Sequence, residues 1–291
     1  MRRSSVLAAI VAFFAVPLAA APLMHWPDLL NRPQPKPDAS IAYGADPLQH
    51  VDLWLPKNAG THPVVLMVHG GCWQTEVAKA DIMNWIADDL RKRGIAVWNV
   101  EYRGVDRPGG GYPGTFLDVG QATDLLEKDA RQYHLRADKI VVVGHSAGGH
   151  LSLWLAARGA LPKDSPLAVQ HPLKLTAAIS LGGLPDLQAA SVPPGNTCDS
   201  EPVAALVGKA SPARPDVYAD TSPADLPDPT IPVTLVNATL DRIAPPAFAT
   251  AYAAKRKVHR ITTPDEGHVE LITPGTKSWT AALRLIEEAL R

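Results

Sequence analysis

The chain has 291 residues, 46% hydrophobic and 20% charged, which suits one globular α/β domain with a sizeable core. A formal net charge of -1 gives no electrostatic case for nucleic acid. Two cysteines, Cys72 and Cys198, are too few for a disulfide scaffold or a zinc cluster.

In chain order, Arg2-Arg3, the uncharged run from Val6 to Val16, Pro17 and Ala19-Ala20-Ala21 read as a secretory signal. A cut after Ala21 would leave Pro22 first, and the apolar stretch to Met24 is nearly long enough to stay as an anchor. Residues 1–24 are therefore a signal peptide or an anchor, the chain is expected to be periplasmic or secreted, and a membrane is a partner only if the segment is retained. Pro27, Pro33, Pro35 and Pro37 make residues 25–40 an extended linker with little reason to fold on its own. The domain is expected over residues 41–291.

Val51, Leu53 and Leu55 alternate on one face and, with Ile41-Ala42-Tyr43, suggest an antiparallel pair at a sheet edge. Strand and helix patterns then alternate: strands at 63–68, 95–100, 140–143, 175–181, 233–237 and 259–262, with helices at 79–93, 115–133, from the glycines after the 140–143 strand to 158, 246–257 and 278–290. Such alternation predicts a mostly parallel, doubly wound sheet whose ligands bind at the carboxyl ends of the strands. Residues 184–229 break the pattern. They are rich in proline and acidic residues, have no helical or strand period, and are expected to form a cap over the strand ends.

The chemistry gathers at four strand ends. Gly144-His145-Ser146-Ala147-Gly148 fits G-x-S-x-G between a β-branched run and a helical pattern, a strained turn that would raise the Ser146 hydroxyl above the sheet. A nucleophilic serine needs a base and an acid that fixes the base's tautomer. Asp241 follows the 233–237 strand, and His268 lies on the exit loop of the 259–262 strand; Asp186 comes one strand too early and His259 falls inside its strand. The fourth strand end, His69-Gly70-Gly71-Cys72, would turn the amides of Gly71 and Cys72, with that of Ala147, toward the serine as an oxyanion hole. His145 and His150 lack a Glu in H-E-x-x-H register, so no metal and no cofactor is expected.

With these motifs in this order, the chain resembles the α/β-hydrolase superfamily. It is most similar to the carboxylesterase branch that includes feruloyl and acetyl-xylan esterase-like enzymes and the kynurenine formamidases. Gln49-His-Val-Asp-Leu-Trp-Leu-Pro56, Glu101-Tyr-Arg103, Thr221-Ser-Pro223 and Gly267-His-Val-Glu-Leu-Ile272 add to the likeness. The resemblance implies Ser146 as nucleophile, Asp241 as orienting acid, His268 as base then acid, and no cofactor. Cys72 departs from it, standing where lipase-like relatives carry a third glycine and formamidase-like ones often an aromatic. Trp73, Tyr102 and Tyr112 follow strand ends or lie in a glycine-rich loop and are candidates to line the pocket. The expected activity is an exported serine carboxylesterase on small neutral esters. The rivals are an arylformamidase with the same triad and a catalytically silent binding module. An oxidising compartment would also let Cys72 and Cys198 pair, tying cap to oxyanion loop.

Overall fold

The computed structural model describes residues 22–192 and 198–291; most of the predicted signal and a short piece of the predicted cap lie outside them. Eight strands form one sheet: β1 Ala39–Ala42, β2 His50–Trp54, β3 His62–Val68, β4 Ala96–Val100, β5 Leu135–His145, β6 Ala177–Leu181, β7 Val233–Ala238 and β8 His259–Thr263. Their order is β1-β2-β4-β3-β5-β6-β7-β8, with β1 and β2 antiparallel at one edge and β4 through β8 parallel.

The period of two sorts each central strand between two cores. Val64, Leu66 and Val68 of β3 face one core, Val65 and Met67 the other, and none of the five is exposed to solvent. Fully burying such a side chain contributes roughly 1.5–3 kcal/mol, which is why these strands read as continuous apolar runs. Helices α2 Asn84–Lys92 and α8 Lys277–Ala289 cover one face, α3 Gly114–Asp129 and α4 Ala147–Ala157 the other. α7, Pro246–Ala253, joins the second layer through Ala249 and Tyr252.

Two expectations change. Residues 25–40 are laid along the domain instead of running free: α1, Trp26–Leu30, buries Leu29 completely, and the carbonyls of Pro33 and Pro35 accept from Trp85 Nε1 at 3.1 Å and Asn84 Nδ2 at 3.2 Å. Proline has no N–H to pair, but its carbonyl is a full acceptor, and α2 supplies the donors. The insertion 184–229 is also not structureless. α5 Leu187–Ala190 and α6 Ser200–Val207 form within it, and Val203, Leu206, Val207 and Leu226 join the core. Helices this short escape a periodicity search.

Candidate active site

Ser146 stands between β5 and α4 at φ 55° and ψ -119°. A side chain at Gly144 would run into the Gly148 carbonyl, and one at Gly148 into the Val68 carbonyl, so the turn closes only with both glycines. Non-glycine residues in this region cost on the order of 1–3 kcal/mol and persist only when over-determined. Here the Ser146 N–H donates to Leu181 O at 2.8 Å and its carbonyl accepts from His150 N at 3.2 Å.

Asp241 and His268 meet as a hydrogen-bonded pair, Nδ1 to Oδ2 at 2.7 Å, both buried. The other Asp241 oxygen accepts the amides of Ile243 and Ala244 at 2.9 Å each, so the carboxylate cannot swing away from the ring. The loops that carry them are stitched together: Thr239 N–H donates to Thr263 O and Leu240 N–H to Glu266 O, both at 2.9 Å. Ser146 shares this edge. A Cβ on Gly182, the residue after Leu181, would sit 3.0 Å from Asp241 Oδ2 and 3.2 Å from His268 Nδ1. The rejected rivals lie elsewhere, Asp186 accepting from Ala189 N at the start of α5 and His259 exposed on β8.

Behind His268 lies a group of rings that the sequence did not announce. His145 packs 4.3 Å from His268, centre to centre, and donates Nε2–H to the His268 carbonyl at 3.1 Å. Burial, then the nearby His268, holds His145 well below the ordinary histidine range, so it is neutral. Trp26 stands edge-on to both, 6.2 Å from His145 and 6.4 Å from His268. The Trp26 segment is fastened to the histidine loop by Glu270, which accepts Met24 N–H at 2.6 Å and Gly267 N–H at 3.1 Å. A cavity of about 370 Å³ beside His268 is lined by Leu23, Met24, Trp26, Leu240, Ile243 and Val269 among others. Leu23 and Met24, assigned to the signal from sequence, thus line this cavity beside His268.

On the other flank, Gly71, Cys72 and Trp73 have φ of 107°, 53° and 56°. A Cβ on Gly70 would lie 2.9 Å from Ser146 Cβ, and one on Gly71 2.7 Å from Ala78 Cβ, which is why the turn opens on two glycines. The two following residues are not glycines and are tied down. Cys72 is bonded to Cys198 of the insertion, so the two cysteines do pair. Trp73 donates Nε1–H to His150 Nδ1 at 3.2 Å, and its carbonyl accepts Val105 N–H at 2.7 Å. His150 Nε2–H donates to Thr221 O at 2.8 Å, and burial lowers its pKa to about 4. Both ring nitrogens of His150 are thus committed to protein partners.

Of the three candidate pocket aromatics, two are packing residues. Trp73 is fully buried; Tyr102 is 1% exposed, stacks on His69 at 4.3 Å and donates its hydroxyl to His69 O at 3.0 Å. Each follows a strand end, but its polar atom finds a partner below the surface. Tyr112 does line a cavity, of about 370 Å³, but with Pro162, Ser165, Arg214 and Asp220 and with none of Ser146, Asp241 and His268. Its ring carries the Arg214 guanidinium at 3.6 Å and its hydroxyl donates to Asp220 at 2.8 Å. Asp220 itself is 3% exposed and paired with Arg214 at 2.6 Å, so it is no part of an acidic cap surface.

The mostly parallel sheet, the serine at its strand-to-helix turn and the aspartate–histidine pair at the neighbouring strand ends define an α/β-hydrolase. Residues 51–255 match the BD-FAE family model, and the chain belongs to that family. It is 32% identical over 114 residues to a probable isoprenylcysteine alpha-carbonyl methylesterase of Arabidopsis thaliana, a match covering 39% of this chain and 23% of that protein. It is 31% identical over 134 residues to a kynurenine formamidase of Aspergillus versicolor, covering 43% and 44%. The chain thus spans under half the length of these curated relatives. A truncated carbohydrate esterase from gut microbiota superposes over 88% of this chain and 99% of its own with a TM-score of 0.71 at 22% identity, which speaks to the fold.

Proposed function

We propose that this protein is a serine carboxylesterase for small neutral esters. The observation that carries the reading is the buried Asp241–His268 pair at the strand end beside the Ser146 elbow. In this reading His268 Nε2 takes the Ser146 proton as Oγ attacks the ester carbonyl, and Asp241 keeps Nδ1 protonated and steadies the imidazolium that forms. The amides of Gly71, Cys72 and Ala147 receive the oxyanion. His268 returns the proton to the leaving alcohol, and water then cleaves the acyl-Ser146 intermediate by the same steps in reverse. Esterases among the relatives and structural neighbours support the class.

Short acyl groups should be preferred. Among its described residues the insertion offers two short helices whose larger apolar side chains, Leu187, Val203, Leu206 and Val207, are already packed inward, and each CH₂ left unburied forgoes about 0.8 kcal/mol. Export is part of the proposal: the Arg2-Arg3 and Val6 to Val16 pattern supports it, as does a disulfide of a kind that persists in oxidising compartments. An arylformamidase with the same residues is the second reading, favoured by the Aspergillus versicolor relative. A panel of acetyl to long-chain esters with N-formylkynurenine separates them. We expect kcat/KM to be highest for acetyl and butyryl esters; a higher value for N-formylkynurenine, or a steady rise beyond about eight carbons, overturns the small-ester reading.

A further inference from the structure

Three segments far apart in the chain wall the cavity of about 370 Å³ beside His268: Leu23, Met24 and Trp26 ahead of β1, Leu240 and Ile243 around Asp241, and Val269 next to His268. Its size falls within the range of small-ligand sites. Leu240, one residue before Asp241, is 45% exposed, and Leu23, Met24, Trp26 and Ile243 are half-buried, so the walls keep apolar surface open to solvent. The other polar side chains of the lining, His25 and Arg242, are exposed. The wall ahead of β1 is preformed. Glu270 Oε1 accepts Met24 N–H at 2.6 Å, His25 N–H donates to Asp28 Oδ2 at 2.7 Å at the start of α1, and Leu29 behind them is fully buried.

We propose that this cavity is the subsite for the alcohol part of the ester, and that Leu23, Met24 and Trp26 select alcohols with an alkyl or benzyl body over sugars. The inference rests on the serine carboxylesterase reading and adds an alcohol preference to the acyl preference stated with it. Of the parts of an ester, the leaving alcohol is the one that must come to His268, since its oxygen collects the proton from within about 2.6–3.2 Å of the ring. Water then takes the place that the alcohol has left, beside the same ring, so this region empties in each cycle. An acyl chain stays bound through Ser146 until that water has attacked, and a chain lying here would block it. The side chains of Leu23, Met24, Leu240, Ile243 and Val269 offer an alkyl or benzyl group apolar contact. To a sugar they offer no partner for its remaining hydroxyls, which would lose their water uncompensated.

Methionine ¹³C-methyl NMR reads occupancy without reference to turnover. Benzyl alcohol is expected to shift the Met24 signal, assigned by its loss in Met24→Ala, while glucose leaves it in place. At a fixed acetyl group, kcat/KM should rise about fourfold for each CH₂ from methyl to butyl acetate, the scale of one buried methylene, and benzyl acetate should exceed 6-O-acetylglucose. Leu240→Trp fills the cavity from an exposed position and Met24→Ala strips its wall. Each should lower the benzyl-to-methyl acetate ratio about tenfold, the scale of two methylenes, while the butyryl-to-acetyl ratio of the methyl esters holds. Phosphonate labelling of Ser146 marks the variants as folded, and the wild-type alcohol series decides without them. A flat alcohol series, a preference for 6-O-acetylglucose, an acyl ratio that moves in place of the alcohol ratio, or a Met24 signal that benzyl alcohol leaves unmoved overturns the proposal. Benzyl alcohol bound at Met24 in a protein that turns over no ester would leave an apolar alcohol site and overturn the esterase reading, and the subsite role with it.

Discussion

The two flanks of Ser146 are built from the same residue types on opposite plans. On the proposed base flank, His145 is kept uncharged by burial, Trp26 offers a ring edge to His268, and Asp241 is hydrogen-bonded to it. The proposed oxyanion flank is held by a buried hydrogen bond and by a covalent bond, through His69–Glu101 and Cys72–Cys198. The difference follows from the tasks. In the proposed mechanism the histidine gains and loses a proton in each cycle against its aspartate, whereas amides that receive an oxyanion need a fixed framework.

The largest effect expected on the base flank is that of Asp241→Asn. It keeps the shape, presents the wrong donor to Nδ1, and should lower kcat on the order of 10⁴-fold with an unchanged circular dichroism spectrum. A loss below tenfold would remove Asp241 from the triad. On the oxyanion flank, replacing both Cys72 and Cys198 by alanine opens a loop of sequence separation 126. This should cost about 3–5 kcal/mol in stability and lower kcat, since Cys72 would no longer be pinned at its positive φ. Denaturant unfolding with and without reductant measures it, and coincident curves would mean that the bond does not hold the flank.

Acid should tell the flanks' common support apart from both. The folded His150 ring takes its proton only near 4, against an ordinary value of about 6.5. Its contribution is therefore complete above about 6.5 and is lost as pH falls toward 4, about 3 kcal/mol over that window. The depressed His145 acts in the same direction, and the lowered Glu101 adds its loss at still lower pH. Melting temperature against pH should fall through this window, and more shallowly in His150→Gln; parallel slopes would contradict the assignment. The smallest effect expected is that of Trp26→Ala, roughly tenfold in kcat/KM or about 1.4 kcal/mol, because a ring edge and not a hydrogen bond is lost. Unchanged kinetics would make residues 23–27 a surface covering only.

Ser146, Asp241 and His268 were legible as candidates because each stands on the exit of a strand, and strand ends can be placed by pattern. The disulfide was legible as the one pair available if the chain is exported, as its first residues suggest. What the sequence concealed came from contacts between distant segments. Nothing in the prolines of 25–40 says that their carbonyls will meet Trp85 and Asn84, and nothing near Trp26 points to a histidine more than two hundred positions away. Glu101 was visible beside Tyr102 and Arg103, yet only the fold shows it under His69. Trp73 and Tyr102 were misplaced for a related reason: a strand end locates a backbone, while the side chain follows the partner its polar atom finds.

The central claim is that Ser146 is the nucleophile of a serine hydrolase, and intact-mass analysis after exposure to an alkyl fluorophosphonate tests it most directly. One adduct, mapped to the Ser146 peptide in wild type and absent from Ser146→Ala, is the predicted result; equal labelling of Ser146→Ala, or an adduct on another residue, would contradict it.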